Sequence, residues 1–460
     1  MTDLPWGTNQ NLTDDEFYNR KSELINIKNL LQSTAQGHAP DLLLTGIRGV
    51  GKTVFLKKLK REMDGEYLVA YIDFSKSKCY QKNQMNITGL MEHFFKEFIK
   101  EAKRKGLNTL DKQIEKYFKS NDFKIKEFIQ IDKIPIPVFS KETNEEKLMD
   151  FVLDLPEKIY EKNQDKIKGV LIFIDEFQLI RELNNYKDSF LWKLRSYIQN
   201  QRNVAYIFSG LMSMQDKLIS EIASQNGAFG GRMISIHLNP FEKETVRNYL
   251  SEKAPHILFT DDGFDRFYKC TSGTPSYVNI FASLLPIDQQ LDDEAIKMQF
   301  DKKIQAISSQ LINLWTRLSF REQTIIIILL EKPLRRIDIA NEFGISTGSL
   351  SNYLNNLQNQ GLIILNDGLY KISEPILKRW LELEFKEKGI LTTSCCPSFV
   401  MFVEKNFPEL VKLTISSAIK VTGTLIITEN AKQPFEIQAD EVIIESLSPA
   451  DYPLQKKRHS

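Results

Sequence analysis

The stretch "DLLLTGIRGVGKTVFLKKL", residues 41–59, decides the fold. Asp41 to Thr45 is a short apolar run suited to a buried parallel strand. Gly46-x-x-x-x-Gly51-Lys52-Thr53 follows at once, and apolar Val54, Phe55, Leu56 and Leu59 then fall at helical spacing. Strand, glycine loop and helix in that order are what an anion-cradling loop requires. Glycines lack the Cβ that would keep successive backbone N–H groups from curling around a phosphate, and the helix N-terminus adds partial positive charge. On this reading Gly46, Ile47, Arg48, Gly49, Val50, Gly51, Lys52, Thr53 and Val54 line the phosphates of ATP. Lys52 reaches the β- and γ-phosphates, and the Thr53 hydroxyl binds Mg2+. A chance glycine turn is the plain alternative, and the flanking strand and helix weigh against it.

A phosphate loop needs a second strand that delivers carboxylates. "KGVLIFIDEFQLI" (168–180) has a continuous apolar run from Val170 to Ile174, ending in Asp175-Glu176. Asp175 fits the magnesium role and Glu176 the polarising of an attacking water. Alone, the pair could be a solvated acidic turn; beside the loop it reads as catalytic, together with Lys52. "EYLVAYIDF" (66–74) gives another buried strand, "NVAYIFSG" (203–210) the next, and "RMISIHL" (232–238) the last. Ser209 sits at the tip of the 203–210 strand, where a side chain could sense the γ-phosphate. Between the second and third strands lies a lysine-rich, mostly helical insert, about residues 76–168. It is broken by "IQIDKIPIPVF" (129–139), whose alternation and prolines predict an edge hairpin. The insert's lysines read as a solvated helical face rather than a nucleic-acid surface.

The rest of the composition is restrictive. With 460 residues the chain exceeds one core and implies two to four domains. A net charge of +1 gives no global attraction to nucleic acid, so any basic patch is local. The longest strongly apolar run, Ile325 to Leu330, is too short to span a bilayer, and the polar, acidic N-terminus does not read as a secretory signal. A cytoplasmic location is expected. Cys79, Cys270, Cys395 and Cys396 show no C-x-x-C spacing and the five histidines are scattered, so neither structural zinc nor a disulfide framework is expected.

Several ordered motifs carry a family resemblance. "FYNRKSEL" (17–24), "IDEFQ" (174–178), "LR" (194–195), "GGRMISIHLNPF" (230–241) and "TSGTPSYVN" (271–279) resemble the prokaryotic AAA+-type ATPases of the archaeal ATPase group, relatives of the STAND and origin-recognition ATPases. The resemblance covers about residues 14–385. It implies an adenine pocket lined by the Phe17–Leu24 box, Phe17 and Arg20 included, a lid near Pro275, and Arg232 facing the γ-phosphate. The family usually has Gly-Ser after the fourth strand; here the pair is Gly210-Leu211, and Ser213 stands as an alternative sensor to Ser209.

Beyond the lid, residues 318–373 read as a winged helix-turn-helix: Ile337 to Phe343 as the first helix, Gly344 as the turn, Ser346 to Gln360 as the second, and a hairpin tipped by Asn366-Asp367-Gly368. The second helix has no Lys or Arg, and Arg335 and Arg336 are the nearby basic pair. DNA affinity draws mostly on phosphate contacts, so a protein-contact module stands beside DNA recognition. The C-terminal residues 398–460 alternate as three strands with a short helix near Phe407–Leu413. Through "VTGTLIITENAKQPFEIQADEV" and "DYPLQKKRHS" they resemble the later part of the OB-fold of asparaginyl-tRNA synthetases. In that family the catalytic domain follows K-R-H-S, so no aminoacylation is expected here. Too few residues separate Phe385 from the first tail strand for the barrel's first two strands, so the tail reads as a partial OB-fold that docks or is a fusion remnant, with tRNA an unlikely partner.

The expected architecture is an α/β chain with a P-loop, AAA+-like parallel-sheet core at 14–240, a helical lid at 241–310, a winged helix at 311–388 and a partial OB-fold tail at 395–450. The expected function is an ATP-binding and ATP-hydrolysing switch using Mg2+, whose winged helix contacts a protein partner or DNA, with a homo-oligomer left open and no membrane contact. The alternative is a nucleic-acid-binding regulator, through the winged helix or the OB fragment, with secondary ATPase activity.

Overall fold

Apolar side chains alternate along each core strand between two helical layers. In the computed structural model Leu42 and Leu44 of β1 (Asp41–Thr45) face one layer and Leu43 faces the other. The same two-residue period divides β2 (Leu68–Asp73), β3 (Val170–Asp175) and β4 (Val204–Ser209). A sheet buried on both faces is how all-parallel sheets occur, which explains the near-continuous apolar runs. With β5 (Ile234–His237) at one edge, the strands run in the order β2-β3-β4-β1-β5, every neighbour parallel. The register pairs Asp73 with Asp175 and Leu44 with Ser209, so the polar strand ends lie along one edge.

The structure describes residues 4–5, 10–109, 125–131, 134–139, 144–211, 218, 222, 229, 231, 233–343, 345–388, 418–427 and 435–446. Helices α1 (Lys21–Gln32) and α2 (Lys52–Met63) cover one face of the sheet through Leu24, Ile27, Phe55, Leu56 and Leu59. Helices α3 (Ile87–Arg104), α4 (Glu145–Glu161) and α5 (Lys187–Ile198) cover the other. Asn86 caps α3 by accepting from Gly89 N at 2.8 Å. The expected insert hairpin is present as Ile125–Ile131 and Ile134–Phe139, paired antiparallel. It forms its own two-stranded sheet and does not join the edge of the core sheet.

By contacts the chain divides into two units. The first holds residues 1–307, 354–366 and 373–376, the second 308–353, 367–372 and 377–460. After the sheet the first unit continues with α6 (Lys243–Lys253), α7 (Asp261–Thr271) and α8 (Pro275–Leu284), and then enters α9 (Asp293–Trp315). Phe267, Phe281 and Phe300 bind these helices together, with ring centroids 5.2 and 5.1 Å apart. Arg266 grips Asp293 with two bonds of 2.8 and 2.9 Å.

In the second unit α10 (Phe320–Glu331) starts on a capping box between Ser319 and Glu322. Helix α11 (Arg336–Phe343) matches the expected first helix, and α12 (Thr347–Asn359) starts one residue later than expected. Gly344 lies outside the described residues. Positive φ at Asp367 (50°) and Gly368 (77°), between strands Ile363–Asn366 and Leu369–Ile372, suits a two-residue hairpin turn. Helix α13 (Pro375–Lys388) sets Trp380 edge-on to Trp315 at 6.3 Å. Of the tail, Ala418–Ile427 and Phe435–Ser446 pair antiparallel with a register shift at Thr422/Gly423. The remaining tail strand and the helix near Phe407–Leu413 fall outside the described residues. No helix among the described residues is long and apolar enough to cross a membrane.

Candidate nucleotide site

The glycine loop begins where β1 leaves the sheet. Gly46 has φ 150°, and a Cβ there would stand 2.7 Å from the Leu238 carbonyl oxygen. Gly49, at φ 75°, leaves room for Ser276, whose Oγ would lie 2.1 Å from a Cβ at that position. Ser276 N also donates to Gly49 O at 3.2 Å. Pro275 is the first residue of α8, so the start of that helix rests on the tip of the loop.

Lys52 donates through Nζ to Gly46 O at 2.7 Å and Ile47 O at 3.0 Å. Burial lowers its pKa to about 8, against the opposing pull of Glu176 and Asp175. The loop and the β3 carboxylates meet directly: Thr53 Oγ1 donates to Asp175 Oδ2 at 2.7 Å. Tyr71, on β2, donates its hydroxyl to the same oxygen at 2.8 Å, and Glu176 N donates to Asp175 Oδ1 at 3.0 Å. Burial, then the charge of Asp175, pushes the Tyr71 phenol up, so it stays a donor. Glu176 holds φ 55° and ψ 36°, a left-handed conformation uncommon for a residue with a side chain. Burial and the neighbouring Asp175 carboxylate raise its pKa. Gln178 Nε2 donates to Glu176 Oε2 at 2.5 Å.

Ser209 closes β4, fully buried, with an Oγ that has no hydrogen-bond partner among the described residues. Phe17 packs half-buried beside Phe55 at 6.4 Å and under Lys58 at 5.9 Å. Arg20 is buried, donates to Asn239 O and Glu23, and lies 5.1 Å from the Phe241 ring centre. Its guanidinium thus ties the Phe17–Leu24 box to the segment between β5 and α6. Arg48 Nε is buried without a partner among the described residues. Among the described residues the structure therefore brings Lys52, Thr53, Asp175 and Glu176 together, and places Ser209 on the strand beside β1. Arg232 and Ser213 lie outside the described residues.

Sequence reasoning missed Tyr71, Gln178 and Ser276. A hydroxyl inside the apolar 68–73 strand was the one local signal for Tyr71; Gln178 and Ser276 fall inside the quoted motifs 174–178 and 271–279, which assigned them no role. Among the described residues no group of three His, Cys, Asp or Glu side chains forms a metal cage. Thr53 and Asp175 nonetheless fit Mg2+, which is held through hard oxygens by one or two protein groups together with substrate phosphates.

A parallel sheet with a glycine loop after β1 and paired carboxylates after β3, the two strands separated by β4, defines a P-loop, ATP-binding ATPase. The family described as an ATPase domain predominantly from Archaea matches residues 17–281, more than half of the chain, and the chain belongs to that family. The Walker-type ATPase of Pyrococcus abyssi shares the fold, with a TM-score of 0.53, 17% identity and coverage of 81% of this chain and 99% of that one. The C-terminal stretch is similar to asparagine–tRNA ligases, 62% identical over 63 residues to that of Clostridium botulinum (13% of this chain, 14% of the ligase). The Bacillus cereus ligase is 60% identical over 55 residues, 12% of each chain. This chain thus spans about 14% of the length of those relatives. The C-terminal domain of the iron-only hydrogenase large subunit also matches, over residues 372–449. The donor set does not fit an iron–sulfur cluster, which is held by four thiolates. That segment holds only Cys395 and Cys396, and Cys79 is buried in the ATPase core, donating to Ser77 at 3.3 Å.

Proposed function

We propose that the chain is an ATP-hydrolysing molecular switch whose winged helix meets a protein partner or DNA. The observation that carries the reading is the 2.7 Å bond from Thr53 to Asp175, which joins the phosphate loop to the acidic end of β3. Residues 46–54 cradle the phosphates and Lys52 swings from its loop carbonyls to the β- and γ-phosphates. Thr53 and Asp175 would hold Mg2+, which would supply charge neutralisation to the nucleotide phosphates. Glu176 accepts a proton from the attacking water. Ser209 senses the γ-phosphate and Arg232 stabilises charge on it. Phe17 and Arg20 border the adenine, Arg20 through the chain it pins, and Pro275 sets the lid.

The domain division goes with this reading: core 14–240, lid 241–310, winged helix 311–388, partial OB-fold tail 395–450. Helix α12 carries no Lys or Arg. Arg321 donates to Tyr353 at 2.8 Å, and Arg336 donates to Thr347 O at 3.0 Å and to Ser351. Arginines spent on α12 itself favour a protein partner over DNA phosphates.

Glu176→Gln tests the reading. It should bind ATP as the wild type does and release at least about a hundredfold less phosphate, a general-base effect. Unchanged turnover in that variant would refute the assignment. A pull-down with the ATP-trapped Glu176→Gln chain identifies the partner, and a steep salt dependence of duplex binding would favour DNA.

A further inference from the structure

Gln178 follows the proposed base by two residues and is bonded at both ends of its amide. Nε2 donates to Glu176 Oε2 at 2.5 Å, and Oε1 accepts from Leu211 N at 3.0 Å. Leu211 lies just past β4, and its neighbour Gly210 donates through N to Leu44 O of β1 at 3.4 Å. Between the two polar side chains, Phe177 is fully buried against Phe208 of β4, with ring centroids 4.5 Å apart. Phe177 therefore fixes the backbone from which Glu176 and Gln178 both project.

We propose that Gln178 is a positioning residue for hydrolysis: its amide fixes the Glu176 carboxylate to the main chain at the end of β4, so that the orientation of the base follows the strands that flank the phosphate loop. The proposal rests on the reading of Glu176 as the base. A glutamate side chain has three rotatable torsions, and an acceptor that must meet a water's proton at hydrogen-bond distance has to lose that freedom before the reaction. Gln178 restrains one carboxylate oxygen and leaves Oε1 to accept the proton. Its second bond makes the restraint dependent on Leu211. Leu211 adjoins Gly210, which is bonded to β1, so a shift of the β4 end relative to β1 moves Gln178 and with it the base. The amide of glutamine serves because it offers a donor and an acceptor on one planar group; a carboxylate or an ammonium at this position offers one or the other.

Gln178→Leu keeps the approximate shape and removes both bonds. Its kcat is expected to fall about tenfold to a hundredfold, the scale of a misplaced catalytic group. Affinity for a fluorescent ATP analogue and the thermal midpoint should stay at wild-type values. In the Glu176→Gln background, Gln178→Leu should cause no further loss, because the group it positions is already disabled. Gln178→Glu keeps an acceptor for Leu211 N but sets a carboxylate against Glu176, and it should lose turnover at least as far. Wild-type kcat in Gln178→Leu beside an inactive Glu176→Gln would overturn the proposal alone. So would losses that multiply in the double variant, or a Gln178→Leu defect confined to KM and ATP affinity. Wild-type turnover in Glu176→Gln itself would remove the base reading and the proposal together.

Discussion

Gly46 shows how one absent atom shapes the site. Its φ of 150° and the Leu238 carbonyl 2.7 Å from where a Cβ would stand leave an alanine no flexible neighbour to push aside. Gly46→Ala should cost on the order of 1–3 kcal/mol of stability and weaken ATP binding, measured by urea unfolding and nucleotide titration. Glu374 gives a residue-scale pH effect. It is buried, accepts from the Tyr277 hydroxyl at 3.0 Å, and burial pushes its pKa up to about 7, the Tyr277 bond and the Arg48 charge opposing. The folded state then holds the proton more tightly than the unfolded chain, whose glutamate titrates near ~4.3. Its stabilising effect is complete below that value and is lost as pH rises through about 7. Glu374→Gln keeps an acceptor for Tyr277 and cannot titrate. The stability lost between about pH 4 and pH 8 should shrink in that variant by on the order of 3–4 kcal/mol in denaturant unfolding. The meeting of Thr53 with Asp175, and the proposed roles of Lys52 and Glu176 beside them, could be read ahead because their spacing to a strand end and a helix start is local. Tyr71 was not, because its partner Asp175 lies 104 residues away and is reached only by the pairing of β2 with β3.

At the scale of elements, the winged helix is set by caps and turns the sequence carries openly. Ser319 and Glu322 form the capping box of α10, and Ser319→Ala should cost about 1 kcal/mol in thermal unfolding of the second unit. The basic pair before α12 is less uniform than its sequence. Arg336 is tied to Thr347 and Ser351, while the exposed Arg335 is joined to Asp338 through its backbone N–H at 3.3 Å. Arg335→Glu with Arg336→Glu should abolish duplex DNA binding if the helix-turn-helix is the contact surface, and leave ATP turnover intact. DNA binding that survives both reversals would place the contact elsewhere. The insert hairpin was readable from its alternation and prolines. Its separation from the core sheet was not, since strand pairing beyond a hairpin is a long-range choice.

For the whole molecule, the nucleotide motifs end before residue 280, while the similarity to asparagine–tRNA ligases falls at the C-terminal end. Truncation after Glu387 should leave ATP affinity unchanged in a titration, and a tenfold loss would show that the tail belongs to the site. Arg232 carries the question of assembly. If it serves a neighbouring copy, mixing inactive Glu176→Gln with inactive Arg232→Ala should restore some phosphate release, because a mixed assembly holds one intact composite site. Specific activity should then rise with protein concentration. If Arg232 serves its own chain, mixing restores nothing and activity per chain stays flat.

By itself the sequence determined the phosphate loop, the β3 carboxylates, the buried parallel strands and the likeness of each end to its own family. These rest on short-range patterns: glycines where a Cβ would clash, apolar runs where both sheet faces are covered, and acids where a strand ends. Only the tertiary structure decided how those residues are held. Gln178 reaches across 33 positions to Leu211, Arg20 across 219 to Asn239, and Tyr71 across 104 to Asp175. Such bonds are made by strand order and the loops it brings together, which local spacing does not encode, and they turn a set of motif residues into a site with fixed geometry.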